Sequence, residues 1–165
     1  MRSAIVNGDI SKLTTLLKET NQKNPIIHED LRTLTPLTAH HYSAIQGRFD
    51  IFKNISDTLN NLQPKAISGL HKGITPLHYA AFEGHLDIVN YVTNCIQDIN
   101  PVLILMNRTP LMLAAREGHL DIVRHLIEKG ADPNIETIGQ TAYDVAISKG
   151  HFKVARYLQK LTQNK

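Results

Sequence analysis

The stretch from Thr109 to Asn134 reads T-P-L-M-L-A-A-R-E-G-H-L-D-I-V-R-H-L-I-E-K-G-A-D-P-N. Proline in a first helical turn is well tolerated, because the N–H it lacks has no intrahelical partner there, and Thr109 stands where a hydroxyl can cap the freed amides. Leu111, Ala114 and Ala115 fall three and four apart and give a short helix with a small apolar face. Gly118 ends it. Leu120, Ile122, Val123, Leu126 and Ile127 resume the helical period, with Asp121 favourably near the positive end of the new helix. Gly130 is placed as a left-handed C-terminal cap, and A-D-P-N reads as a turn. Two short antiparallel helices and an extended finger bury too little surface to be stable alone, so the unit has to stack.

Further copies supply the stack. T-P-L-H-Y-A-A-F-E-G-H-L-D-I-V, Thr75 to Val89, repeats the unit almost letter for letter, and Thr141-Ala142-Tyr143 through Gly150-His151-Phe152-Lys153-Val154 is another copy. A degenerate copy runs from Thr38 through Gly47 to Ile51, and a half-copy, Ala4 to Ile10, opens the chain. The inter-helix glycines Gly8, Gly47, Gly84, Gly118 and Gly150 are separated by 39, 37, 34 and 32 residues. That drift brackets the period of ~33 residues of ankyrin repeats, whose signature includes T-P-L-H-x-A. On these motifs the chain resembles an ankyrin-repeat protein over nearly its whole length.

The resemblance implies an all-α solenoid of stacked helix-turn-helix pairs with extended finger loops. A single domain, 1–165, is expected to divide into an N-terminal half repeat or cap (1–23), a degenerate repeat (24–63), repeats at 64–101 and 102–134, and a C-terminal repeat or cap (135–165). The polar outside of Arg2–Asn7 and Ile10–Lys18 suits a terminal repeat on which nothing stacks. It fits equally a native cap or a piece cut from a longer array. Asn21–Thr35 reads as a polar connector, with Pro25 and Pro36 excluding a long helix. Thr35-Pro36-Leu37 imitates the repeat signature, but the distance back from Gly47 makes Thr38 the equivalent of Thr75.

The second helices Phe49–Leu62 and Leu86–Asp98 are expected to run past the point where Gly130 stops the later one. After Pro101 comes an apolar run, Val102-Leu103-Ile104-Leu105-Met106, where a finger is normally polar. About half of these side chains are expected to be buried. At about 25 cal/mol per Å² of apolar area, two or three left exposed make a costly surface, so the run reads as core, partner site or self-association surface. Asn107 stands where Gly73 and Gly139 serve elsewhere, and asparagine tolerates positive φ better than most residues.

Composition agrees with a stack of aliphatic helices. The 165 residues are 42% hydrophobic and only 5% aromatic, with no Trp, a net charge of +3 and a sequence pI of about 9.0. No Lys/Arg run of the kind that tracks phosphates is present, so nucleic acid is not an expected partner. Cys95 is the single cysteine, which excludes an internal disulfide and suits a reducing compartment. No apolar run approaches the ~18 residues of a membrane span, and no signal peptide is visible. A cytoplasmic location is expected, with a nuclear one left open.

Several features imitate chemistry. There are nine histidines, yet His78, His85, His119 and His151 occupy the recurrent T-P-L-H and G-H slots. The family resemblance implies a hydrogen-bonding role between repeats for them, and no Cys/His spacing fits a tetrahedral zinc site. His40 and His41 are adjacent, so their rings point apart. The sequons Asn54-Ile55-Ser56 and Asn107-Arg108-Thr109 matter only in a secreted chain. Cys95 is expected to be a helix-buried thiol without a basic neighbour. No nucleophile, base and oxyanion donors are brought together, so no enzyme, cofactor or metal is expected.

What remains is a binding module. In the family's usual geometry, first helices and fingers line a concave groove for partners. The residues before each inter-helix glycine are Ile45 and Gln46, Phe82 and Glu83, Arg116 and Glu117, and Ser148 and Lys149. Those before each T-P-L are His71, Lys72 and Ile74, then Leu105, Met106 and Arg108, then Thr137, Ile138 and Gln140. Phe82 with Ile74, Leu105, Met106 and Arg108 is expected to form an apolar centre edged by charge, the composition of an interaction hot spot. The implied function is a non-catalytic scaffold binding a peptide or folded protein, with no small-molecule substrate. The alternative is a targeting or regulatory array of a larger enzyme, channel or effector. Leu126, Asp132 and Asn134 also resemble the family's asparagine-hydroxylation pattern at Asn134, from which Pro133 and Ile135 depart.

Overall fold

The structure, a computed structural model, describes residues 2–19, 26–30, 35–59, 74–102 and 107–163. Ten helices in five antiparallel pairs stand among them: α1 (Arg2–Asn7) with α2 (Ile10–Glu19), α3 (Ala39–Ile45) with α4 (Phe49–Leu59), α5 (Pro76–Glu83) with α6 (Leu86–Cys95), α7 (Pro110–Glu117) with α8 (Leu120–Glu128), and α9 (Ala142–Ser148) with α10 (Phe152–Gln163). The first helices pack in one row, α1 on α3, α3 on α5, α5 on α7 and α7 on α9, and the second helices form the other row. Between the rows runs one core of small and aliphatic side chains, including Leu77, Ala80, Ala81, Ile88, Val89, Leu111, Ala114, Ala115, Val123 and Leu126. Ala115 is fully buried while Ser148 lies outside, the sidedness the helical period predicts.

Thr38, not Thr35, precedes α3. The segment expected to be a plain connector instead holds a two-stranded antiparallel ladder, β1 (Ile26–Asp30) with β2 (Thr35–Thr38), in which Ile26 opposes Thr38 and His28 opposes Leu37 around a bulge. Pro36 fits a strand here because a two-stranded ladder leaves an open edge where a missing N–H removes no bond. The finger of the degenerate repeat is thus ordered by main-chain pairing, and the imitation T-P-L is the strand itself.

The spacing of the stack is set at the glycines between paired helices. Gly84 and Gly118 lie at φ +90 and +80, the left-handed region that glycine enters without steric cost. Each also faces the imidazole of the following repeat. A Cβ on Gly84 would lie 2.7 Å from Cε1 of His119, and one on Gly118 would lie 2.5 Å from Nδ1 of His151. The His119 ring donates from Nε2 to the Phe82 carbonyl at 3.0 Å, and His85 donates to the Ile45 carbonyl at 3.1 Å. At the first junction Arg48 takes the histidine's place, covering Gly8 and donating from Nη1 to the Ile5 carbonyl at 3.2 Å.

Two expectations need correction. α6 ends at Cys95 rather than Asp98. Ile96 turns extended (φ −111, ψ 155), Ile96 and Ile99 fold against the core, and the Asp98 carboxylate accepts from Asn100 N at 3.0 Å, closing a local turn. Cys95 is consequently exposed. It is the last residue of the helix and lies beside the buried stripe of Ile88, Val89, Val92 and Thr93. The expected extent of the other long helix, to Leu62, falls outside the described residues beyond Leu59.

The glycine contact can be isolated by pairing two sites of like backbone. Gly130 has φ +93 but nothing within 4 Å of an added Cβ. Gly130→Ala is expected to cost the left-handed strain alone, about 1–2 kcal/mol. Gly118→Ala adds overpacking of about 1–3 kcal/mol against His151. In urea titrations Gly118→Ala should therefore unfold earlier, and His151→Ala in that background should recover part of the loss. Equal midpoints for the two glycine variants would mean that the ring does not set the spacing.

Candidate functional site

The fingers and the ends of the first helices place the expected groove residues unequally. Ile45 closes α3 half-buried against the core, and Gln46 beside it is exposed. Glu83 is half-exposed. Phe82 is also half-buried and packs against the core, its ring 5.6 Å from Cζ of Arg116 in cation–π contact. Phe82 is therefore not a free groove residue: a charge there would disturb packing. Ile74 is a correction, since its side chain is only 4% exposed and belongs to the core. Its carbonyl is what faces the neighbouring repeat, accepting from His41 Nε2 at 3.2 Å. His71, Lys72, Leu105 and Met106 lie outside the described residues, as does most of the apolar run, of which Val102 is 39% exposed. The apolar centre expected around Phe82 and Ile74 is not formed by those two side chains.

Six of the expected residues do converge. Arg108 before α7, Arg116 near its end, Ile138 and Gln140 at the next finger tip, and Ser148 and Lys149 at the end of α9 line one depression of about 460 Å³. Its floor adds Leu113 and Val145, which sequence reasoning did not assign. The signal was available: each stands three residues before an assigned groove position, Arg116 or Ser148, and so lies on the same helix face.

The electrostatics of this depression are one-sided. Among the described residues its lining carries Arg108, Arg116 and Lys149 and no carboxylate. Arg116 Nε lies 3.5 Å from Glu117 Oε1, a surface pair of modest worth. Arg108 Nη2 donates to Gln140 Oε1 at 2.8 Å, whereas Arg108 Nη1 is shielded from solvent and has no acceptor among the described residues. The Ser148 hydroxyl donates to the Val145 carbonyl at 2.8 Å. The finger tip is a two-residue turn in which Thr137 and Gln140 exchange both main-chain bonds, at 2.9 and 3.1 Å. Ile138 and Gly139 occupy it at φ +51 and +66. Both signs are positive, as in a type I′ turn, which favours Asn-Gly. A β-branched residue at positive φ is strained, and Ile138 is 71% exposed.

Asn134 sits in the turn after α8, exposed, with its N and Nδ2 donating to Asp132 Oδ1 at 2.9 and 3.1 Å. Asp132 N in turn donates to Asn100 Oδ1 of the preceding repeat at 3.1 Å.

Helix pairs, left-handed inter-helix glycines and fingers recurring along the chain define a stacked-repeat protein. The family profile "Ankyrin repeats (3 copies)" matches residues 1–103 and 95–165, and the chain belongs to the ankyrin-repeat family. No curated protein matches the sequence significantly. Ankyrin repeats generally mediate protein–protein interaction. Among the described residues, no helix is long and apolar enough to cross a membrane.

The histidines that invite a metal hypothesis are used within this architecture. His41 and His78 accept the main-chain N–H of the capping threonines on Nδ1, Thr38 at 3.4 Å and Thr75 at 3.1 Å, while Nε2 donates to the next finger, His41 to the Ile74 carbonyl and His78 to the Pro101 carbonyl at 3.0 Å. One acceptor and one donor nitrogen define a neutral imidazole. Met112 holds the equivalent place in α7 and accepts from the Thr137 hydroxyl on Sδ at 3.2 Å, and Asp144 holds it in α9, accepting from Thr141 N at 2.8 Å. His40 is buried beside Ser56 Oγ at 3.0 Å and edge-on to Phe52.

Burial disfavours the cationic form of these rings. It pushes His40 down to about 3, with repulsion from His41 adding to the shift. It pushes His78 down to about 4, although bonds to the Pro101 and Arg108 carbonyls oppose it and His41 adds a little more. An unfolded histidine takes up its proton near 6.5. Between that pH and the depressed folded values the unfolded chain binds more protons, so stability is full above 6.5 and falls as pH is lowered. The expected slope approaches about 1.4 kcal/mol per pH unit for each ring. Urea unfolding from pH 7.5 to 4.5 should show it. His78→Asn keeps an acceptor for Thr75 N–H and should remove one proton's worth of slope; an unchanged slope would show that His78 is protonated in the fold.

Proposed function

We propose that this chain is a non-catalytic interaction module that recognises a protein partner along the groove formed by its fingers and first helices. The supporting observation is the depression between α7, α9 and the Thr137–Gln140 turn, lined by six side chains from three separate segments with solvent access and an aliphatic floor. Concave surfaces with a few convergent polar groups over an apolar floor are where ligands are held. Ile138, 71% exposed at the rim, offers the apolar contact on which an interface centre is built.

A pair of surface charges tests the reading. Ile138→Asp disturbs no packing, leaves its charge hydrated in the free protein and puts at positive φ a residue that tolerates it better, so helicity should be kept and melting unchanged or raised. Against a partner the same charge has to be desolvated, at roughly 2 kcal/mol or more, weakening binding about thirtyfold. Phe152→Asp, on the other row at a residue 67% exposed, is the matched control. Partners recovered by affinity capture would be titrated calorimetrically against both variants. Lost affinity with Phe152→Asp and retained affinity with Ile138→Asp would move the working surface to the second-helix row.

A further inference from the structure

Resting on the groove reading above, the charge distribution identifies the chemistry of the occupant. We infer that the depression between α7 and α9 is a receptor for an acidic segment of a protein partner, seating an Asp or Glu carboxylate on Arg108 with an adjacent aliphatic residue against Ile138.

Three observations converge on this. Among the described residues the lining holds three cations and no anion, and the Glu117 carboxylate beside Arg116 lies at 3.5 Å from its Nε, outside the lining. The Arg108 guanidinium is oriented by the bond from Nη2 to Gln140, while its Nη1 is withdrawn from solvent and has no acceptor among the described residues. Arg108 as a whole is half-exposed on the lining, and a carboxylate oxygen is the acceptor that a planar guanidinium takes best. Ile138 then stands exposed beside the cations on a strained turn. The combination of a fixed charge and a neighbouring aliphatic contact suits a side-chain pair of a peptide.

The same features argue against a polyanion. A nucleic-acid strand is followed by cations spaced along its backbone. Here the three are grouped around one depression floored by Leu113 and Val145, and no Lys/Arg run extends them along the chain. Gln140 orients Arg108 through its side-chain oxygen, which holds a single fork in place.

A random dodecapeptide library displayed on phage and selected on the native protein tests the inference. Selected peptides should be enriched in Asp or Glu next to Leu, Ile or Val. Synthetic copies measured by calorimetry should bind at least tenfold more weakly to Arg108→Gln and to Ile138→Asp, and should weaken when salt is raised from 50 to about 300 mM. Replacing the peptide's acidic residue by its amide should cost as much as Arg108→Gln. Circular dichroism of each variant separates lost contacts from lost fold, and Gln140→Ala, which frees Arg108 without removing its charge, provides a second handle if Arg108→Gln unfolds. Selected peptides that are not acidic, bind Arg108→Gln normally and yet are lost with Ile138→Asp would overturn the acidic occupant while leaving the groove reading standing. Peptides indifferent to all three variants, or no selection at all, would overturn both. Tighter competition by an oligonucleotide than by the acidic peptide would assign the cations to phosphate instead.

Discussion

The contact between a bare glycine Cα and the side chain that follows the next inter-helix glycine governs the spacing of this stack. An imidazole fills the space of the absent Cβ at Gly47, Gly84 and Gly118, and Arg48 fills it at Gly8. Two demands meet at one atom: the chain must reverse with positive φ, and the next repeat must approach closely. Only glycine answers both. Because His85 and His119 also donate to main-chain carbonyls of the preceding repeat, the approach is fixed in distance and in rotation. The alanine pairs of the first helices are then brought into register, and one continuous core results.

A second set of contacts fixes the fingers. In each repeat from α3 onward the third residue of the first helix faces the capping threonine: His41, His78, Met112 and Asp144. The first three also reach the next finger, two by donating to its carbonyls and the third by accepting from its threonine on sulfur. Asp144 makes a self-contained cap with Thr141 instead. The chemistry of that one position thus changes from an inter-repeat link to a local one at the final repeat. The uncharged imidazole is required by the middle links, since a proton on Nδ1 would confront the threonine N–H it has to accept.

What the sequence disclosed and what it withheld divide along a physical line. Helix starts, inter-helix turns and the choice of Thr38 over Thr35 follow from local rules of proline, threonine and glycine, and the repeat period carried them across the degenerate copy. The ladder of Ile26–Asp30 with Thr35–Thr38 was illegible because a five-residue strand with one apolar pair has no alternation to read. Cys95 and Ile74 were misjudged for the opposite reason. Each sits at the end of a local pattern, and its burial is decided by where the neighbouring repeat lies. The groove shows the same division. Family geometry pointed to the positions, while the grouping of Arg108, Arg116 and Lys149 without a facing acid depends on segments about one repeat apart.

The Thr137–Gln140 turn shows how far structural need and side-chain identity can part. Its two central residues both require positive φ, and Gly139 meets that at no cost. Stability alone favours Asn or Gly before it, because a branched side chain there strains the backbone by about 1–2 kcal/mol. Isoleucine brings no compensating burial, being 71% exposed, and the finger's main-chain bonds form without help from its side chain. Local strain without a local return is a mark of sites whose return lies in what they contact. Nη1 of Arg108, withdrawn from solvent and without an acceptor among the described residues, is a second uncompensated group. An aliphatic side chain and a guanidinium lining one depression are the pair that the acidic segment proposed above, with a hydrocarbon surface beside an anionic oxygen, would complement.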